Sequence, residues 1–404
     1  MKKIVLVTVG QPSVNPRIVK EADAFAGAGH EVTVIYSYVI KWASDADKVL
    51  FQKVKWHYIE AGGSPKNKTA LYFYTKLRNR AAMYIGQILK THKHFIAERI
   101  QARAYDELLD TAKKIKADWY IGHNLGALPV AVKAAKFHGA KAGFDFEDYH
   151  RGESDERDKT ILNRITCLEE KYIPALNYYS TSSKMITDDT QRNFPGFAGS
   201  VITLRNCFPL SQQPPFRIKE SADHTLHLFW FSQTIGLNRG LEVFIDALKF
   251  LKDPAIQLTL AGRCDENMEE YIKTNASEIL PQIHFAGIVQ PEELPAFAAQ
   301  FDVGLAIELS EPYNRDICLT NKVFTYLTAG NAIILSQTKM QAAFNDEYKV
   351  GESFPVGDVK GLVACIQFYR DAEMLNKQRL HNYALAKEAL NWEKESEKLL
   401  AVIH

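Results

Sequence analysis

Apolar positions in this chain fall into short continuous runs that alternate with stretches of helical spacing, and the alternation starts over once midway. Residues 4–9 are one such run, the form a parallel strand takes when both its faces are covered. Gly10 and Pro12 follow, then Asn15-Pro16, a helix cap with proline at the first helical position. Ile18, Ala22, Phe25 and Ala26 share one helical face, Gly27 and Gly29 end the helix, and residues 31–36 form the next strand. Residues 119–121 lead into Gly122-His123-Asn124 and a helix over 129–137, with further strands at 142–146 and 200–204. Residues 209–225 hold three prolines and many polar residues, the composition of a linker. A second series then begins, with strands at 226–231, 256–261, 283–286, 303–307 and 332–335. Its helices lie before residue 251 and over 321–328. The pattern predicts an α/β protein of two doubly wound domains, 1–208 and 226–389, joined by the 209–225 linker. A last helix within 390–404, with no strand after it, is expected to return to the first domain. Ligands of such domains bind at the carboxyl ends of the strands.

Length supports the division, since 404 residues exceed what one hydrophobic core usually serves. A formal net charge of +1 argues against a dedicated nucleic-acid binder. The five cysteines are scattered without CxxC spacing, so they suggest neither a disulfide framework nor a zinc site, and they read as reduced thiols of a cytoplasmic protein. The apolar run near the start is too short for a signal peptide, and nothing approaches a membrane span.

Several chemistries lack their motifs. Gly10 does not open a G-x-G-x-x-G fingerprint, and P-loop, HExxH and GxSxG patterns are absent. The informative stretch is 232–242, SQTIGLNRGLE, where a strand delivers Gly236, Arg239 and Gly240 to the start of a helix. Glycines admit an anion to the backbone amides, the helix dipole favours negative charge, and arginine is a bidentate donor. An ordinary strand-to-helix turn with a surface arginine accounts for the same residues. In 308–330 a long loop leads to Thr320-Asn321-Lys322 at a helix start, again suited to an anion, or else a cap and a solvated lysine. Asp145-Phe-Glu-Asp148 is the one carboxylate cluster resembling a metal site, and it reads as a polar strand end or the lining of an acceptor cleft. His123 stands at a strand end, Asn15 and Arg17 at the first loop. Each has a functional reading toward the ligand and a structural one, and for Arg205-Asn206 hinge packing is the plainer role.

Residues 66–97 carry seven Lys/Arg and no Asp or Glu, interleaved with aromatics at helical spacing. Such a stretch suits an anionic membrane surface. A core-facing helix with a solvated basic side is the plainer alternative, and single-stranded nucleic acid a remote one.

Taken in order, these segments resemble the family-4 retaining glycosyltransferases of the GT-B fold, across nearly the whole chain. NPRIVKEADAFAGAGHEVTVI is similar to their first βαβ unit, HNLGALPVA to their histidine loop and FSQTIGLNRGLE to their donor-phosphate loop. LAGR, FAGIVQPEEL, DVGLAIE and TNKVFTYLTAGNAIIL follow in the family's order. The resemblance implies two Rossmann-like domains facing a central cleft and sugar transfer from a UDP- or GDP-linked donor to a glycan, lipid-linked or small-molecule acceptor. It implies no metal and no cofactor beyond the donor. His123, Arg239 and Lys322 take the catalytic places. Gln233, Thr234, Gly236, Arg263, Glu308, Asp316, Asn321 and Thr325 fall on the donor side, and Asn15, Arg17 and Asn124 on the acceptor side. The chain departs from the family in three places. Gln233 or Thr234 stands where an arginine is usual, and Ile317 and Thr325 where a glutamate pair is usual. Glu308 or Asp316 is then the candidate for the carboxylate facing the sugar. The same architecture serves nucleotide-sugar 2-epimerases, and a catalytically silent binding protein is a third reading.

Overall fold

The computed structural model describes residues 1–93, 95–153, 159–220 and 224–404. His94 of the basic stretch and residues 221–223 of the expected linker lie outside them. The chain divides into two compact units, unit 1 being Met1–Leu204 with Ser396–His404 and unit 2 being Arg205–Glu395.

Unit 1 begins β1 (Lys3–Thr8), α1 (Pro16–Gly27), β2 (Glu31–Ser37), α2 (Lys41–Leu50), β3 (His57–Ala61), α3 (Thr69–Leu89), α4 (Ile96–Gln101) and α5 (Tyr105–Lys113). It continues β4 (Trp119–His123), α6 (Leu128–His138), β5 (Lys141–Phe146), α7 (Lys159–Tyr172), β6 (Tyr178–Thr181), α8 (Lys184–Asn193) and β7 (Ser200–Thr203). All seven strands are parallel, in the order β3-β2-β1-β4-β5-β6-β7. The central strands are covered on both faces, so β4 is buried at every residue and β1 from Ile4 onward. The Asn15-Pro16 cap forms as the sequence predicts, with Asn15 Oδ1 accepting from Ile18 N at 3.2 Å. Ile18, Ala22 and Phe25 then face the sheet with no exposure. Burying side chains of this size contributes about 1.5–3 kcal/mol each for isoleucine and phenylalanine.

Unit 2 begins β8 (Leu226–Ile235), α9 (Leu241–Leu251), β9 (Ile256–Cys264), α10 (Glu266–Asn275), β10 (Ile283–Gly287), α11 (Leu294–Ala298), β11 (Val303–Ala306) and α12 (Tyr313–Ile317). It continues α13 (Asn321–Ala329), β12 (Ala332–Ser336), α14 (Lys339–Tyr348), β13 (Gly351–Phe354), α15 (Val359–Phe368) and α16 (Ala372–Glu388). Its sheet is parallel in the order β10-β9-β8-β11-β12-β13. Part of the proline-rich stretch packs on this unit: Lys219 Nζ donates to Asp302 Oδ2 at 2.8 Å and to Thr225 O at 2.5 Å. The last helix, α17 (Trp392–Ile403), ends in unit 1, where Leu399 and Ile403 are buried and Lys2 Nζ donates to Ile403 O at 2.6 Å. Among the described residues no helix is long and apolar enough to cross a membrane.

In each sheet the strand order reverses once, between β1 and β4 and between β8 and β11. The loops that leave the carboxyl ends of those four strands therefore diverge and leave room for a ligand.

Candidate functional site

At the reversal point of unit 2, β8 delivers residues 236–240 to the N-terminus of α9. Gly240 caps that helix with φ +83, a left-handed conformation that favours glycine. A Cβ there would meet Ile307 Cγ2 at 2.6 Å, so the loop lies directly against the end of β11. Gly240→Ala is therefore expected to cost about 1–3 kcal/mol, from backbone strain and the clash together. Gly27→Ala, at a position where a Cβ meets nothing within 4 Å, serves as the control and should be close to neutral. Denaturant midpoints of the two variants check this pair.

Two further bonds hold the loop. Asn238 N donates to Glu242 Oε1 at 2.5 Å, and Arg315 Nη1 donates to Asn238 O at 3.0 Å. Arg239 is half-buried, with Nη1 donating to Ser232 Oγ at 3.3 Å. The neighbouring Ile307 leads into Glu308, whose Oε1 accepts from Lys322 Nζ at 2.7 Å. Lys322 lies in the first turn of α13, and its Nζ stands 5.2 Å from the centroid of the buried Trp230 ring. The starts of α9 and α13, Arg239, Arg315 and Lys322 thus gather donors and positive charge around one loop pair, an arrangement suited to a polyanion. Arg315 is a residue the sequence did not single out, since nothing in its neighbourhood announces that α12 folds back onto residue 238.

The other donor-side residues divide. Gln233 is exposed and Thr234 half-buried, at a shift of register between Phe231 and Thr234 in the β8–β9 pairing. Thr234 pairs with the exposed Arg263 across that edge. Gly236 packs where a Cβ would meet Asp265 Oδ2 at 2.4 Å. Asn321 is exposed and accepts from Asn206 Nδ2 at 2.7 Å, while Thr320 holds the helix-cap position expected of Asn321. Two expectations need correction. Asp316 does not present a carboxylate to a sugar, because it accepts from Lys339 N at 2.9 Å and pairs with Lys339 Nζ at 2.9 Å, which ties it to the start of α14. Thr325 does not reach a ribose either: it is fully buried and its hydroxyl donates to Asn321 O at 3.0 Å within its own helix. Glu308 remains beside the cluster, already paired to its lysine.

At the reversal point of unit 1, Thr8 Oγ1 donates to Asn124 Oδ1 at 2.8 Å across the gap between β1 and β4. Beneath that bond lies a buried charged cluster. Arg17 Nε and Nη2 donate to Asp145 Oδ2 and Oδ1 at 2.6 and 2.7 Å, and its Nη1 donates to Leu204 O at 2.7 Å. Ser180 Oγ donates to Asp145 Oδ1 at 2.6 Å. Glu21 Oε2 lies 3.3 Å from His123 Nε2, and His123 Nδ1 lies 3.6 Å from Asp145 Oδ2. Burial disfavours charge on the imidazole, but Glu21 and Asp145 outweigh it and hold His123 above the ordinary histidine range. Burial likewise works against Asp145, and Arg17 and His123 outweigh it and hold the carboxyl below its ordinary range.

This arrangement corrects three expectations. Arg17 is wholly buried with its guanidinium occupied, so it holds the strand ends together and does not face an acceptor. His123 is 1% exposed and faces the same carboxylates, so its side chain sits inside the unit and does not stand on a ligand surface. Asn15 spends its side-chain oxygen on the helix cap. Among the described residues the set with metal-like spacing is Glu21, His123 and Asp145, within 4.8 Å of one another, and not 145–148. Arg17 already supplies the positive charge that a cation would bring there. Asn124 alone of the acceptor-side candidates borders open space. It lines a pocket of about 170 Å³ together with Gln101, Glu147, Asp148 and His150. Burial and the neighbouring Asp148 push the Glu147 carboxyl up to about 7.

Residues 227–370 match the family model for glycosyl transferases, group 1. The matched segment contains the whole 236–240 loop, the start of α13, Arg239, Arg315 and Lys322. No curated protein matches the chain in sequence. Solved structures match it over its whole length. The HepE protein of Anabaena, in complex with UDP and glucose, is 14% identical with a TM-score of 0.68, covering 100% of this chain and 99% of its own. Sucrose-phosphate synthase of Thermosynechococcus elongatus is 13% identical with a TM-score of 0.71, covering 100% and 98%. A TarM variant of S. aureus, bound to UDP and α-GlcNAc-glycerol, is 11% identical with a TM-score of 0.69, covering 100% of both chains. The two parallel Rossmann-like sheets are those of the GT-B glycosyltransferase fold.

Proposed function

We propose that this chain is a retaining glycosyltransferase of the family-4 type, moving a sugar from a UDP- or GDP-linked donor to a glycan, lipid-linked or small-molecule acceptor without a metal. Its place is then the synthesis of cell-surface polysaccharide or glycoconjugate, in the cytoplasm at the inner face of the membrane. The observation that carries the reading is the cationic loop pair of unit 2, lying inside the segment that matches group 1 glycosyl transferases. Departure of a nucleoside diphosphate requires charge stabilisation at the phosphates more than a protein nucleophile. Arg239, Lys322 and the starts of α9 and α13 supply it, with Glu308 holding Lys322 until phosphate arrives. HepE and the TarM variant are described with UDP, which supports a UDP-linked donor ahead of a GDP-linked one.

A thermal-shift series with UDP, GDP and their common sugars tests the proposal. A ligand that binds the folded state raises the melting temperature by mass action, and one nucleotide is expected to do so at millimolar concentration. If none does, the reading as a transferase falls and that of a silent binding protein takes its place. Conversion of the donor sugar with no acceptor present would instead identify an epimerase.

A further inference from the structure

Helix α3 is turned inside out. The side it lays against the protein carries Thr75, Asn79, Ala82 and Gly86, of which Thr75, Ala82 and Gly86 are buried. Asn79 Nδ2 donates to Arg99 O at 2.6 Å and Ile100 O at 3.1 Å, and Gly86 lets α4 approach so closely that a Cβ would meet Ile100 Cδ1 at 3.0 Å. The opposite side carries Phe73, Leu77, Tyr84 and Ile88, exposed by 60%, 68%, 67% and 58%. At 3.6 residues per turn these four fall within an arc of about 60°. Tyr74, Met83, Ile85 and Leu89 flank them and are exposed as well. The plainer sequence reading, an apolar face turned to the core, is thereby reversed: small and polar residues make the packing, and the large apolar ones face solvent.

The charge carried by this segment of the chain has one sign. Residues 66–97 contain seven Lys/Arg and no acid. Lys66 and Lys68 precede the helix, Arg80 borders the stripe, and Lys90 and Lys93 follow its end, all exposed. Lys76 is half-buried with its Nζ 5.3 Å from the centroid of the Tyr72 ring, and Arg78 turns inward, to Glu107 and Asp106 of α5.

We propose that α3 is a docking face for an anionic lipid bilayer, on which the helix lies without crossing it. Its apolar stripe enters the boundary between headgroups and acyl chains, while the lysines and Arg80 reach the phosphates. Charge decides between this occupant and a second copy of the chain. A two-fold contact through α3 would bring one basic face against another, and like charges across an interface oppose association. An anionic headgroup layer offers the complementary sign. The helix belongs to unit 1 and the loop pair to unit 2, so failure of the bilayer reading removes the membrane location and leaves sugar transfer standing.

Vesicle flotation of the full chain tests it, using phosphatidylcholine alone and an equal mixture with phosphatidylglycerol. The chain is expected to bind the mixture about tenfold or more tightly than phosphatidylcholine alone, and to be released as salt shortens the screening length. The double substitution Leu77→Glu with Ile88→Glu should weaken binding by about tenfold or more. Both side chains are exposed, so the melting curve should stay as in wild type. Equal binding to both vesicle types, or undiminished binding by the double variant, overturns the proposal. So does a wild-type dimer that the same two substitutions disperse, which would assign the face to a second copy.

Discussion

Arg239→Ala is expected to weaken nucleotide binding by roughly 10- to 100-fold while leaving the fold untouched. The size follows from the kind of bond lost, since a hydrogen bond to a charged group contributes about 1.5–3 kcal/mol. The specificity follows from position. Arg239 immediately precedes the glycine that caps α9, so under the proposed function its side chain and the helix amides would share one phosphate group. Its side-chain bond to Ser232 is long, at 3.3 Å, so little folding stability depends on it. Arg239→Lys should recover part of the loss, keeping the charge but not the planar fork. Arg263→Ala, at the exposed end of β9, should lose less than Arg239→Ala. Isothermal titration with UDP or GDP reads all three variants. Arg239→Ala binding as tightly as wild type would remove the phosphate site from this loop.

Asp145→Ala should produce the largest loss of stability in unit 1, about 3–5 kcal/mol. Breaking a buried pair by removing one partner leaves an uncompensated buried charge. Arg17 would keep only Leu204 O and a distant Glu21 carboxylate at 3.8 Å. Replacing both partners by apolar residues of similar shape, Arg17→Met with Asp145→Leu, should cost less than the single change, because no guanidinium is then stranded. Thermal unfolding of the three proteins checks the order. The same cluster gives the stability a pH dependence of definite sign. Asp145 has its folded pKa depressed, so its contribution is present above about pH 4 and is lost as pH falls through the folded value. His123 has its folded pKa raised, so its contribution is full below about pH 6.5 and is lost as pH rises through the folded value.

The doubly wound class was legible because the central strands are covered on both faces and so read as unbroken apolar runs, as β1, β4 and β12 do. Strands β3 and β13 lie at sheet edges, and β3 turns its first three residues to solvent, so no such run marks them. Strand β6 is buried but reads YYST, whose tyrosines and hydroxyls do not announce a core position. The 236–240 loop could be read because glycine and arginine before a helix have a local meaning. Arg17 could not be placed the same way, since the carboxylate that draws it inward is 128 residues away. The i,i+4 spacing of Arg17 and Glu21 was the one local hint that a buried network begins there. For α3 the periodicity told that apolar residues share a side and not which side meets the protein. That depends on Gly86 and Ala82 allowing α4 close, a matter of contact and not of pattern.

Because residues 396–404 belong to unit 1 while all of unit 2 lies before them in the chain, the two units cannot be finished in the order in which they begin. On the ribosome, unit 2 can emerge entire while unit 1 still waits for Leu399 and Ile403 to fill their buried places and for Ile403 O to meet Lys2. Of the two units the first to start is thus the last to close, and synthesis halted before residue 396 would leave unit 1 open with unit 2 complete.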